Sequence, residues 1–190
     1  MNIIIKRPKK ENIEELENLF KFTIENELKN EGVIEHFEDL KNEIRLKINL
    51  LNKDIESNGK EAFFLIAVIK NKIVGTIALR FQDDLIDKLS NGEYKNIPVI
   101  AAAYILPEYQ GKGIGKALLN SIVISIMSRN IPEFCLDSGY SKAQKIWTKI
   151  FGNPEIVEKD FWGKGYDHMV WKVKTKDFNV IFYVKEWKLC

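Results

Sequence analysis

Cysteine and histidine are scarce in this chain of 190 residues, which carries two of each: Cys135 and Cys190, His36 and His168. Cys135 lies in an apolar stretch and Cys190 is the last residue, so a disulfide framework is not indicated. No Cys or His cluster stands at ligand spacing, and no metal site is expected. An excess of charge of one sign is lacking as well. The 29 basic and 27 acidic side chains leave a formal net charge of +2, and the lysines are scattered, which removes the electrostatic case for binding nucleic acid or a membrane surface. No apolar run approaches the roughly 20 residues that span a bilayer. The opening Met-Asn-Ile-Ile-Ile-Lys-Arg lacks a signal peptide's order of charge, apolar stretch and cleavage site, so a cytoplasmic location is expected. Repeats and low-complexity tracts are also missing. What remains is an ordinary balance of 45% hydrophobic and 29% charged residues, and residues 1–190 are expected to form one domain.

Patterning divides the chain into alternating elements. Asn2 to Lys6 reads as a strand ended by Pro8; Asn12-x-x-Glu15 then reads as a helix start, with Ile13, Leu16, Phe20 and Ile24 on one face. Gly32 separates it from a second helix in which Phe37, Leu40, Ile44, Ile48, Leu51 and Ile55 step by three and four, a stripe read as core. Phe63 to Ile69 and Ile73 to Leu79 form a hairpin around Lys70-Asn71-Lys72, and Gly75 inside it signals a bulge or a close backbone contact. Residues 81–97 read as a polar insertion with a short helix around Leu85 to Leu89, in a position to lie over a pocket. Val99 to Leu106 is the central strand, thinned by Ala101 to Ala103. The wide apolar surface of the helix that follows implies burial. Glu133 to Leu136 is a strand, Ser141-x-x-Gln144 has the form of a capping box for a short helix ended by Gly152, and Ile156 to Phe161 with His168 to Val173 form a second hairpin. Phe178 to Val184 reads as one more extended piece within a C-terminal segment at about 175–190. Left unpaired, it could join a neighbouring subunit's sheet as a homodimer.

The most informative stretch runs from Tyr104 to Leu119, where an apolar strand passes through a turn with Gly111, Gly113 and Gly115 straight into a helix. Alternating glycines let several backbone N–H groups point into one small volume at a helix N-terminus, a setting that suits a phosphate or pyrophosphate. The spacing is not that of the dinucleotide fingerprint, and Ala117 after Gly115-Lys116 breaks the nucleoside-triphosphate loop. Gln110, Gly113 and Gly115 instead spell Gln-x-x-Gly-x-Gly after an Ile-Leu-Pro-Glu-Tyr strand end, which resembles the coenzyme A loop of the GNAT superfamily of N-acetyltransferases. The order of elements is similar to that fold along almost the whole chain, outside the insertion and the C-terminal segment.

The resemblance implies an α/β (α+β) fold with a mixed, mostly antiparallel sheet flanked by helices, in which the central strand and the strand after the long helix splay apart to admit pantetheine. It also implies binding of acetyl-coenzyme A as co-substrate by Ile105, Gln110, Gly111, Lys112, Gly113, Ile114, Gly115 and Lys116, without a metal. The implied reaction is direct acetyl transfer to a primary amine of a small molecule or peptide. An alkylamine, with a pKa of roughly 10, must lose a proton before attack, whereas the thiol leaving group, at roughly 8.5, needs less help.

The sequence departs from the family at three places. Trp147 stands where a tyrosine usually serves as acid, Tyr140 stands where an asparagine is common, and Ala101 to Ala103 offer no carboxylate base. Tyr140 could supply the missing hydroxyl, and His168 is a candidate base in the last hairpin. Glu108, Asp137, Tyr166 and His36 are weaker candidates. For the acceptor pocket, the acidic group of Glu35, Glu38 and Asp39 beside His36 would suit a cationic amine, and Trp162, Tyr166 and Trp171 would make either an apolar pocket or the core of the last hairpin. A non-catalytic acyl-coenzyme A binding module is the alternative that Trp147 permits.

Overall fold

A computed structural model describes residues 2–32 and 37–182. The expected features at Glu35 and His36, and the end of the C-terminal segment from residue 183, lie outside the described residues, as do the side chains of Glu38 and Asp39. In chain order the elements are β1 (Ile4–Lys6), α1 (Ile13–Asn30), α2 (Phe37–Glu56), β2 (Ala62–Ile69), β3 (Lys72–Arg80), α3 (Asp84–Leu89), β4 (Val99–Ile105), α4 (Ile114–Ser128), β5 (Glu133–Ser138), α5 (Ser141–Phe151), β6 (Ile156–Glu158) and β7 (His168–Lys174). The strands make one sheet in the order β1-β2-β3-β4-β5-β7-β6. Every pairing is antiparallel except that of β4 with β5.

Helices cover both faces of the sheet, and β2 shows why its sequence is apolar nearly throughout. Phe64, Ile66 and Val68 meet Leu16, Phe20 and Ile24 of α1 and Leu51 of α2, while the alternate residues Leu65, Ala67 and Ile69 meet Leu118, Ile122 and Ile126 of α4. A strand buried on both sides loses the polar half of its alternation. The hairpin between β2 and β3 closes on two residues, Lys70 and Asn71, both with positive φ, the form whose twist matches that of its strands. Gly75 satisfies both readings made of it. A register shift lies beside it, and a Cβ there would come within 2.5 Å of Ile105 and 2.9 Å of the Tyr104 carbonyl oxygen.

Several local expectations are corrected. Glu15 does not complete a capping box; its carboxylate accepts from Ile73 N–H at the start of β3, 2.7 Å away. Tyr140, not Ser141, is the N-cap of α5, and Gln144 donates instead to the carbonyls of Ser138 and Asp167. The group that caps α5 is Glu31, from the end of α1, which accepts from Ser141 N–H and Ser141 Oγ, both at 2.7 Å. In the insertion α3 forms as expected, with Asp83 accepting from Ile86 N–H. However, Ile86 and Tyr94 pack on Val99 at the start of β4 and on Cys135 of β5 and Val170 of β7. Residues 178–182 form no strand; Asn120 of α4 donates to the Ile181 carbonyl and holds them against that helix. Among the described residues no helix is long and apolar enough to cross a membrane.

Candidate active site

The site begins where the parallel pair comes apart. β4 and β5 are in register only at Val99 with Cys135 and Ile100 with Leu136. Beyond Ile100 the strands diverge, and the β5-side edge of Ala103 to Ile105 has no strand partner among the described residues. A bulge in β4 contributes to this. Its register against β3 slips between Thr76 and Ala78, Ala102 takes a φ of 48°, and Thr76 Oγ1 donates to the Ala102 carbonyl. A left-handed residue other than glycine is strained and has to be held by its surroundings; here a buried hydroxyl does so. Ala103 faces outward into the opening.

At the mouth of the opening, Gly113 is the N-cap of α4 with φ 84° and ψ 0°, a conformation that glycine adopts without penalty. The first turn closes with Ala117 N–H on the Gly113 carbonyl, so the amides of Ile114 and Gly115, at the start of the helix, have no carbonyl one turn back to pair with. Gln110 braces the turn. Its Nε2 donates to the Ile105 carbonyl at 3.0 Å, and its Oε1 accepts from Lys142 of α5 at 2.6 Å, which ties the two sides of the mouth together.

Between these elements lies a cavity of about 340 Å³. Of the residues expected to bind a cofactor, Ile105, Gln110, Gly111, Ile114 and Gly115 line it; Lys112, Gly113 and Lys116 do not. The Lys112 ammonium donates to the Glu108 carbonyl and sits 5.3 Å from the centre of the Tyr109 ring. Thr23 and Glu27 of α1 and Ala143 and Ile146 of α5 close the cavity. No residue of 81–97 takes part, because the insertion covers the other end of β4. Trp147 is turned away from the cavity and packs beside Phe151 on the core under α4.

Tyr140 reaches the cavity, and its hydroxyl donates to Glu43 Oε2 of α2 at 2.6 Å. The other oxygen of that carboxylate accepts from the Tyr104 hydroxyl at 3.0 Å, and Lys47 lies 3.8 Å away. Burial first, then the charge of Glu43, push both hydroxyls well above the ordinary tyrosine value; Glu27 and Glu31 add to the effect at Tyr140.

His168 is 3% exposed and belongs to an adjoining chain of contacts. Trp162 Nε1 donates to His168 Nδ1 at 3.0 Å, so the ring proton is on Nε2, which faces Asp137 Oδ2 at 3.2 Å. Arg80 bridges Asp137 and Asp83. Burial works to raise the Asp137 carboxyl, but His168 and Arg80 outweigh it and hold it below the usual range. The apolar pocket expected from three aromatics does not form: Trp171 is core, 1% exposed, and the Tyr166 hydroxyl donates to the Glu31 carbonyl. Glu108 is on the surface, paired with Lys72.

The profile of the Acetyltransferase (GNAT) family matches residues 16–152, from the first turn of α1 to the end of α5. The chain belongs to the GNAT acetyltransferase family. Solved structures share the fold of this GNAT chain at low identity. The PaiA N-acetyltransferase of Thermoplasma acidophilum, solved in complex with coenzyme A, is 22% identical with a TM-score of 0.67 over 92% of this chain and 99% of that one. An N-acetyltransferase of Staphylococcus aureus gives 13% and 0.67 over the same shares. An aminoglycoside 6'-acetyltransferase type Ii gives 15% and 0.62 over 90% and 97%. A search of curated proteins finds no significant match. In this GNAT chain the residues that sequence reasoning missed are Glu43 and Tyr104. Glu43 reads as one more polar residue beside the Ile44 stripe, and Tyr104 as part of an apolar strand. No local spacing connects them, since 61 positions separate the pair.

Proposed function

We propose that this protein transfers the acetyl group of acetyl-coenzyme A to a primary amine by direct attack. The observation that carries the reading is the strand divergence after Ile100, with a backbone edge that has no strand partner among the described residues on one side and the first amides of α4, after a glycine turn, at its mouth. The residues present fit the co-substrate. Amides of Ile114, Gly115 and Lys116 would hold a diphosphate, with Lys112 and Lys116 adding charge. The open edge at Ala103 to Ile105 would take pantetheine as a further strand, and the small Ala103 side chain leaves room for it. An N–H of that edge placed at the thioester carbonyl lowers the barrier by on the order of 3 kcal/mol.

In this reading Tyr140 sits among the reacting groups, and His168 is a positioning residue that fixes Asp137. Tyr140 is poorly suited to protonate a departing thiolate, because its hydroxyl is committed to Glu43 and is held above the usual tyrosine value. The acceptor is a cationic amine, since Glu27 lines the cavity and Glu31 and Glu43 act on Tyr140 beside it. The packing of Trp147 into the core favours a second reading, a non-catalytic acyl-coenzyme A binding module. Calorimetry with acetyl-coenzyme A, followed by release of free thiol in the presence of varied primary amines, separates the two. Binding with turnover is expected; binding without turnover on any amine would favour the module, and no binding would remove both.

A further inference from the structure

We propose that Glu43 is the terminal acceptor of the proton lost by the incoming amine, and that the Tyr140 hydroxyl hands that proton across from the cleft. The inference rests on the acetyl-transfer reading above. Tyr140 and Tyr104 are both on the cavity wall, whereas Glu43 is not and is bonded to both hydroxyls, more closely to that of Tyr140. Having given its own hydrogen to Glu43 at 2.6 Å, the Tyr140 oxygen keeps a lone pair with which to accept a proton. The second bond, from Tyr104 at 3.0 Å, fixes the carboxylate so that its Oε2 stays on Tyr140. β4 supplies no carboxylate in its place, since the positions before Tyr104 are Ala101, Ala102 and Ala103.

The step balances as follows. One N–H bond of the ammonium breaks as its proton moves to Tyr140 Oη, and the Tyr140 O–H bond breaks as its proton moves to Glu43 Oε2. The nitrogen lone pair so freed forms a bond to the thioester carbonyl carbon as the C=O π pair moves onto oxygen, and that pair re-forms the C=O bond when the thiolate departs. The C–S bond then breaks with its electron pair on sulfur, and the second proton shed by nitrogen on forming the amide goes to that thiolate. Glu43 returns its proton to water. No tyrosinate accumulates, consistent with the surroundings that keep Tyr140 protonated: Glu43 from α2, and Glu27 and Glu31 from α1. The other charged groups around the pair are Lys47 one turn along α2, Asp137 from β5, acting on Tyr104, and Lys142 from α5, 3.9 Å from Glu27.

The test follows thiol release from acetyl-coenzyme A with aliphatic primary amines, among them 1,4-diaminobutane and an alanyl dipeptide, for the wild type, E43Q, Y140F and the double variant. E43Q and Y140F are each expected to lose about 100-fold or more in kcat/KM near neutral pH. The double variant loses no more than either single one, and acetyl-coenzyme A affinity by calorimetry and thermal midpoint stay near wild type. The deficit should shrink as pH rises toward the amine's own value, about 10 for 1,4-diaminobutane and about 8 for the α-amino group of the dipeptide, where solvent supplies the free amine; a merely structural role would give a deficit independent of pH. Y140F reads the same prediction if E43Q does not fold. A wild type that turns over while both variants keep activity within about threefold across the range overturns the relay and leaves acetyl transfer standing. A wild type that binds the thioester and acetylates none of the amines overturns both.

Discussion

Gly113 shows how much a single backbone conformation carries. An added Cβ there meets no atom within 4 Å, so the cost of a substitution is the left-handed conformation itself, about 1 to 2 kcal/mol, and not a clash. Gly113 is the N-cap that immediately precedes the first α4 amides, so a side chain there stands next to them. Gly113→Val is therefore expected to fold with a modest loss of stability and to bind acetyl-coenzyme A at least about tenfold more weakly, which corresponds to some 1.4 kcal/mol. Calorimetry on the variant checks this, and unchanged affinity would remove the turn from the binding site. Ala102 is the counterpart within β4: there the strain is borne by a residue other than glycine and balanced by the Thr76 hydroxyl. Cys135, fully buried with its thiol pushed up to about 12, takes no part in the site.

Among the elements, α5 is the one whose start depends most on a distant partner. Its N-cap, Tyr140, makes no side-chain capping bond, and the carboxylate of Glu31 arrives from the end of α1 to accept from both Ser141 donors. A negative group at a helix N-terminus also meets the favourable end of the dipole. Glu31→Ala is expected to cost about 1 kcal/mol, the usual worth of a cap. In urea the midpoint should fall at unchanged slope. Because α5 also carries Ala143 and Ile146 on the cavity wall and Lys142 on Gln110, the same variant should loosen the mouth of the cleft. A midpoint equal to wild type would mean that the contact is only a surface pairing of little worth.

At the scale of the whole molecule, the sheet is continuous from β1 to β6, yet β4 and β5 hold one another at only two positions. The divergence leaves backbone groups without sheet partners among the described residues, and a ligand that pairs with them stabilises the folded state alone. Acetyl-coenzyme A at a hundredfold excess over its Kd should therefore add about 2.7 kcal/mol. For a chain of this size that raises the thermal midpoint by roughly 5 to 11 °C. A scanning measurement with and without the thioester reads the shift, and its absence at saturating ligand would contradict binding in the opening.

The sequence by itself determined the order of elements and the glycine turn. Helical and strand periodicities are local, and the spacing of Gln110, Gly113 and Gly115 lies within a single turn, so each could be read without knowing what packs against it. Whatever depended on distant partners could not be read in this way. The short-range capping box at Ser141 gave way to Glu31 because a carboxylate from α1 reaches the same donors. The segment 81–97 covers the start of β4 and not the cleft, because Ile86 and Tyr94 are apolar enough to be buried against Val99 and Cys135. The meeting of Glu43 with Tyr104 and Tyr140, 61 and 97 positions away, was decided only by the tertiary structure. A side-chain hydrogen bond acts over about 3 Å of space, and it leaves no period or spacing along the chain from which it could be read.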